Sequence, residues 1–221
     1  TNMSAVMPFV TTLTGLIGDL SIPTQEGGAT GYWLGEDDEA TLSDLTFGER
    51  ALTPKTMAAM VEMTRKMLMQ SSTDVEMLAR RDIARALALT ADLAALYGTG
   101  GNQPLGLAGI TGVKGVNFTA INPTYPEVVK METEIASSNA DVSSMRYLFN
   151  AQGRGHLKTS QKFEGTNGSP IWESGNTVNG YNANVSNQIP VGDNWFGAWS
   201  EMLIGMWGGL DLTVDPYTHS S

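Results

Sequence analysis

The chain contains no cysteine. That excludes disulfides, thiolate metal sites and cysteine nucleophiles, and it fits a cytoplasmic origin. Histidine is nearly as scarce, with only His156 and His219. Positive charge is absent from the first 49 residues, which hold no Lys or Arg. Charged residues make up 16% of the whole, low against a usual ~25%. Long apolar runs are missing too. The opening TNMSAVMPFVTTLTGLIGDL lacks a basic n-region and is broken by Thr, so it reads as neither a signal peptide nor a membrane span. No HExxH, GxSxG, GxxxxGK[ST] or DxDxDG pattern occurs, so none of the chemistry these spacings support is expected.

What is present is apolar, glycine-rich and acidic. The 221 residues, 41% hydrophobic with 25 Gly, suffice for one domain or two small ones with a buried core. The net charge of −10 is concentrated at the front. Asp19, Glu26, Glu36, Asp37, Asp38, Glu39, Asp44 and Glu49 put −8 on residues 1–49, which leaves about −2 for the rest, 13 basic against 15 acidic side chains. Such a segment repels nucleic-acid phosphates and anionic membranes and suits a basic protein surface. Residues 50–85 offer one: Arg50, Lys55, Arg65, Lys66, Arg80, Arg81 and Arg85 outnumber Glu62, Asp74, Glu76 and Asp82 by +3. Head-to-tail contact between identical copies could pair the two regions; a solvated acidic loop is the alternative.

Residues 10–22 are rich in β-formers and predict one or two strands ending at Pro23. Residues 24–49 are too long and aperiodic for an ordinary loop and either are disordered or dock outside their own domain. In 50–71, Met57, Met60, Val61, Met63, Met67 and Leu68 form a helical stripe, but a strand to Thr64 followed by a short helix fits as well. Thr73-Asp74-Val75-Glu76 is a capping box. The run after it, free of Gly and Pro up to Gly98, predicts a helix over 73–97, roughly 36 Å long. Val75, Leu78, Ile83, Ala86, Leu87, Leu93 and Leu96 form its apolar stripe, with Arg80, Arg81, Arg85 and Asp92 outward. Gly98-Thr99-Gly100-Gly101 stops it as a left-handed cap would. A second capping box, Thr124-Tyr125-Pro126-Glu127, starts a helix to about Ser138 that buries Val128, Met131 and Ile135. Met145–Phe149 reads as a buried strand and 150–158 as a short helical turn. Residues 159–187 are Gly/Asn/Ser-rich, and 196–214 read as two strands around Gly208-Gly209.

Candidate chemistry is sparse, and no catalytic, cofactor-binding or metal-ligating residue is assigned. His156 in Gly-Arg-Gly-His-Leu-Lys reads as a surface or hydrogen-bonded side chain. Gly98-Thr99-Gly100-Gly101 resembles a phosphate loop, but it follows a helix C-terminus, where the dipole is negative. The contiguous Glu36-Asp37-Asp38-Glu39 lacks the alternating spacing and Gly turn of a calcium loop. It reads as solvated or partner-facing, with a metal-dependent hydrolase as the remote enzyme alternative.

Several segments resemble the Hong Kong 97-type major capsid family of tailed phages. The clearest runs from Leu45 to Gly106: a Leu-Thr-Phe entry, Leu-Thr-Pro-Lys-Thr, Arg-Lys-Met-Leu-Met-Gln-Ser-Ser, the long helix, then Gly-Thr-Gly and Gln-Pro-Leu-Gly. Met145–Asn150, Asn179-Gly-Tyr181, Val185–Pro190, Phe196-Gly197 and Trp207–Tyr217 agree as well. The resemblance implies an α+β Hong Kong 97-like fold. Residues 1–23 would be an N-terminal strand segment of a peripheral domain and 24–64 an extended E-loop hairpin, with 50–64 as strand. Residues 65–119 would complete the peripheral domain around a spine helix at 73–97, and 120–221 would form a mixed α/β axial domain.

The same resemblance implies a non-enzymatic subunit of an icosahedral shell. Copies would form pentamers and hexamers around double-stranded DNA, assembled in the host cytoplasm. Further partners would be a scaffold or protease, a portal and cement proteins, with packaged DNA touched indirectly and no membrane. Inter-subunit contacts would fall on Glu36, Asp37, Asp38, Glu39, Arg65, Lys66, Arg80, Arg81 and Arg85. An encapsulin-like compartment is the alternative role on the same fold. Some relatives cross-link an E-loop Lys to an Asn of another subunit. Here 38–41 hold no Lys and the first is Lys55, so that bond is not expected. The family's N-terminal arm and its C-terminal return to the peripheral domain are both expected to lie outside these 221 residues.

Overall fold

The structure, a computed structural model, describes residues 6–25, 27, 28, 31, 33, 45–70, 75–138, 145–163, 165 and 168–214. In chain order the elements are β1 (Thr11–Thr14), β2 (Leu20–Gln25), β3 (Phe47–Leu52), α1 (Arg65–Gln70), α2 (Val75–Tyr97), α3 (Tyr125–Ala136), β4 (Arg146–Phe149), α4 (Ala151–Thr159), β5 (Trp172–Glu173), β6 (Thr177–Val178), β7 (Tyr181–Val185), β8 (Trp195–Gly197) and β9 (Leu203–Met206). Short 3₁₀ turns lie at Leu107–Gly109 and Trp199–Glu201. β1 pairs with β9, and β2 with β3. The chain divides into two compact units, one of Thr1–Thr12 with Lys55–Ile204, the other of Leu13–Pro54 with Gly205–Ser221.

The first unit is organised by a five-stranded sheet of order β5-β6-β7-β4-β8. β4 is central, parallel to β7 and antiparallel to β8. Strand side chains alternate between faces, and β4 uses both. Tyr147 and Phe149 face a core with Val128 of α3, Leu157 of α4, Ile171, Trp172, Val178 and Ala183. Leu148, between them, faces a second core with Val6, Leu96 of α2, Ile189 and Trp199. A strand buried on both sides reads as a continuous apolar run, as Tyr147–Phe149 does after the half-buried Arg146. Phe149 stacks on Tyr147 at 5.5 Å and meets Trp172 edge-on at 5.9 Å.

Local signals place the helices well. Thr124 caps α3 with the expected box: its N–H donates to Glu127 Oε2 at 2.8 Å. Asn150 caps α4, its Oδ1 accepting the Gln152 N–H at 2.9 Å. α2 is described from Val75, and the Thr73-Asp74 half of its expected capping box lies outside the described residues. α1 is the short helix expected after Thr64, whereas 53–64 hold neither the strand of that reading nor the helix of the methionine-stripe alternative.

The second unit holds an antiparallel pair in which Leu20 opposes Leu52 and Gln25 opposes Phe47. Half-buried Leu20, Ile22 and Thr24 alternate with exposed Ser21, Pro23 and Gln25. The strand expected to end at Pro23 continues through it, opposite Glu49. In a two-stranded pair each strand is an edge, where a residue without N–H is tolerated. The strand expected over 50–64 occupies 47–52 instead, because Phe47–Leu52 is the part with a partner.

Other expectations are corrected. Asp92, expected outward, is completely buried, whereas Leu78 and Leu93 of the expected apolar stripe are 59% and 43% exposed. α2 therefore presents its C-terminal part to the core along a different line from the one its leucines suggest. The helix stops without a left-handed residue at its end. Within Gly98–Gly101, positive φ appears at Gly100 and Gly101, while Gly98 serves a close approach to residues 104–106. The closing segment carries β8 and β9 before Gly208, and no strand follows it among the described residues. The Gly/Asn/Ser-rich 159–187 contains three strands. β6 and β7 join through Asn179-Gly180, both with positive φ (51° and 81°), the two-residue turn whose twist matches a hairpin.

Candidate assembly surface

No enclosed catalytic centre occurs among the described residues; the chemically suggestive feature is an open apolar surface bordered by both basic and acidic side chains. The N-terminal part of α2 and the segment before it form a groove of about 440 Å³, lined by Val61, Met63, Met67, Val75, Leu78 and Arg85 among others. Met67 and Leu78, both in that lining, are each more than half exposed. Contiguous exposed apolar surface of this kind marks interaction sites, and methionine adapts its shape to a partner. Glu62 and Asp82 lie in the lining together with Arg81 and Arg85, and these two arginines are exposed, as is Lys66. Among the described residues none of these three basic side chains has an ion-pair partner.

Arg80 is different. It pairs with Glu76 one turn earlier, as spacing i,i+4 allows, so part of its charge is already satisfied. Arg65 opens α1, and its side chain lies outside the described residues. Glu36, Asp37, Asp38 and Glu39 also lie outside them. The expected acidic and basic partners are thus located on one side only. Lys55, the first lysine, donates from Nζ to the Gly101 carbonyl at 2.5 Å.

The remaining polar groups are spent on structure. Tyr181 donates to Glu132 Oε1 at 2.8 Å, Asn179 Nδ2 donates to Glu132 Oε2, and Tyr125 donates to Asn179 Oδ1 at 3.2 Å. This ties α3 to the β6–β7 turn. The hydrogen bond to Glu132 raises the Tyr181 pKa. Burial raises those of Tyr147 and Tyr97. A phenol pushed upward is a poorer base or nucleophile near neutrality. Glu127 moves the other way, from the ordinary 4.5 to about 2. The Thr124 N–H is the main cause, followed by the hydroxyl and N–H of Thr119. The Lys162 ammonium, with help from the Thr177 hydroxyl, holds Glu173 low.

A second groove of about 480 Å³ runs along β8, lined by Tyr97, Ile110, Val113, Met131, Trp195 and Phe196 among others. At its floor Trp195 Nε1 donates to the Tyr97 hydroxyl at 3.0 Å, which donates to Asp193 at 2.9 Å. His156 is half-buried, with both ring nitrogens 3.3 Å from Ser160 Oγ. Among the described residues no three His, Asp or Glu side chains converge as a metal would require, and no helix is long and apolar enough to cross a membrane.

Sequence reasoning missed Asp92, whose polarity argued for the surface, and the exposure of Leu78. It also missed the β6–β7 hairpin, although Asn179-Gly180 is a strong local turn signal.

The whole chain, residues 1–221, matches the phage capsid family. It is 41% identical over 213 residues to the major capsid protein of Halomonas phage phiHAP-1. That alignment takes in 96% of this chain and 35% of the relative, so the chain spans about a third of that protein's length. Among solved structures it resembles the capsid of a native GTA particle (TM-score 0.75, 14% identity, 98% of this chain and 80% of that one). It also resembles a solved chain of Microbacterium phage Oxtober96 (TM-score 0.73, 14% identity, 93% of this chain and 73% of that one). These likenesses establish the fold, and it is the α+β capsid fold that the sequence resemblance implied.

Proposed function

The chain belongs to the phage capsid family, and from that premise we propose that it is part of a structural subunit that self-assembles into the icosahedral shell of a virion. Copies form pentamers and hexamers, assembled in the host cytoplasm, and enclose double-stranded DNA without enzymatic turnover. The observation that carries this reading is the family match across residues 1–221. Shell assembly needs many modest contacts multiplied by closed symmetry rather than one tight site, and an open methionine-lined groove suits that demand better than an enclosed pocket.

Within the subunit, the segment from 24 to 64 is the E-loop that lies on a neighbouring copy. The antiparallel pair of β2 and β3 at its base supports this, as does the fully exposed Trp33 (102%), since aromatic side chains dominate interface energetics. Residues 1–23 and 65–119 belong to the peripheral domain and 120–221 to the axial domain. The acidic Glu36–Glu39 faces basic side chains of the neighbour, with Arg81, Arg85 and Lys66 as the principal partners and Arg65 beside them. Arg80 contributes less, because Glu76 already engages it. Residues 38–41 hold no lysine, which supports a shell held by non-covalent contacts. A scaffold or protease, a portal and cement proteins are further partners.

Electron microscopy of the purified full-length protein tests the reading. Uniform shells or hexameric rings are expected; a compact monomer at every concentration would overturn it.

A further inference from the structure

Asp92 and Leu96 are the two fully buried residues of α2, and a carboxylate in a core is costly unless its charge is compensated. If α2 needed only to pack, an apolar side chain would serve at 92. Instead the carboxylate accepts the backbone N–H of Val6 at 3.4 Å and of Met7 at 3.3 Å. Val6 is 1% exposed and shares a core with Leu96, Leu148, Ile189 and Trp199. Its carbonyl accepts the Phe9 N–H at 2.9 Å, which turns the chain. Phe9 then lies under the Arg146 guanidinium at 4.2 Å. Thr11 finishes the attachment, its N–H donating to Met202 O at 3.0 Å and its hydroxyl to Ser200 O at 2.7 Å.

We propose that Asp92 is a latch, and that residues 6–12 are a strap whose N-terminal end it ties to α2. The carboxylate reaches two successive amides that belong to no strand or helix, so it takes the place of secondary structure there. The core beneath the strap is continuous with β4 through Leu148, whereas the amide attachment at Val6 and Met7 runs through the one side chain. Displacement of the chain leading into Val6 is thereby transmitted to α2 at Asp92, and a shift of α2 to the strap. Asp92 is a positioning residue in this scheme, independent of which copy or partner the surface of α2 meets.

Hydrogen exchange on the full chain tests the latch. In Asp92→Asn the Val6 and Met7 amides should exchange about tenfold faster or more, the scale set by losing hydrogen bonds to a charged group. Leu148 in β4 and Leu157 in α4 should keep their rates. Phe9→Ala, which leaves the carboxylate in place, should change Val6 and Met7 far less. The proposal is overturned if Asp92→Asn leaves the two amides unchanged. It is equally overturned if that variant loosens Leu148 and Leu157 to the same degree, since the residue would then be core support. Release of the amides by Phe9→Ala as strongly as by Asp92→Asn would place the hold in the ring instead.

Discussion

Substituting alanine at Gly98 should cost far more than its glycine-rich surroundings suggest. A Cβ there would lie 2.1 Å from the Pro104 carbonyl oxygen, 2.5 Å from that of Ala94 and 3.1 Å from the Gly106 nitrogen. All three are backbone atoms, so no side chain can swing aside. Gly106 faces the same constraint, with its Cβ position 2.3 Å from the Gly98 nitrogen. The two glycines meet because the Gly106 N–H donates to Gly98 O at 2.8 Å while Gly98 N–H closes α2 on Ala94 O at 2.9 Å. Relief requires the end of α2 to move by roughly an ångström against Leu96, which is buried in a core. Overpacking of this kind costs about 1–3 kcal/mol, and immovable backbone on two sides puts Gly98→Ala near the upper end. Gly101→Ala is the control. That residue has φ +73° and nothing within 4 Å of the Cβ position, so its cost is the left-handed conformation alone, about 1 kcal/mol. Urea denaturation followed by tryptophan fluorescence should rank Gly98→Ala as the more damaging. If Gly98→Ala costs no more than Gly101→Ala, close backbone approach is not what ends α2.

Acid titration should expose Glu127. Its folded pKa of about 2 lies below the ordinary 4.5, so its contribution to stability is complete above about pH 4.5 and disappears as the pH falls through 2. Glu127→Gln should remove that part of the acid dependence, as read by denaturation at a series of pH values; an unchanged profile would mean that the Thr119 and Thr124 contacts carry no net stability. For assembly, charge reversal at Arg81 and Arg85 should weaken self-association most at low ionic strength, where screening is least, and reversal at Glu36–Glu39 in the same chain should restore it. Light scattering across a salt series reads both. Assembly that ignores all of these changes refutes the electrostatic pairing of loop and groove.

Much of this protein is legible one residue at a time. The Thr124 box, the span of α2 to Tyr97, the short helix after Asn150 and the buried strand at 145–149 are written in neighbouring residues, because capping and helix propensity act within a turn or two. The ordered family segments from Leu45 to Gly106 likewise carry the fold assignment. Where a face points is another matter. The leucine stripe of α2 could not say that Leu78 meets solvent while Asp92 meets Val6 and Met7, 86 and 85 residues earlier in the chain. Of the short strands β5, β6 and β7, only β7 reaches the sheet's centre, by pairing with the distant β4, and Pro23 stays in a strand because β2 pairs on one side with β3. A side chain's local preference is a property of sequence; burial and strand pairing are properties of which distant segment arrives opposite, and those were decided by the tertiary structure alone.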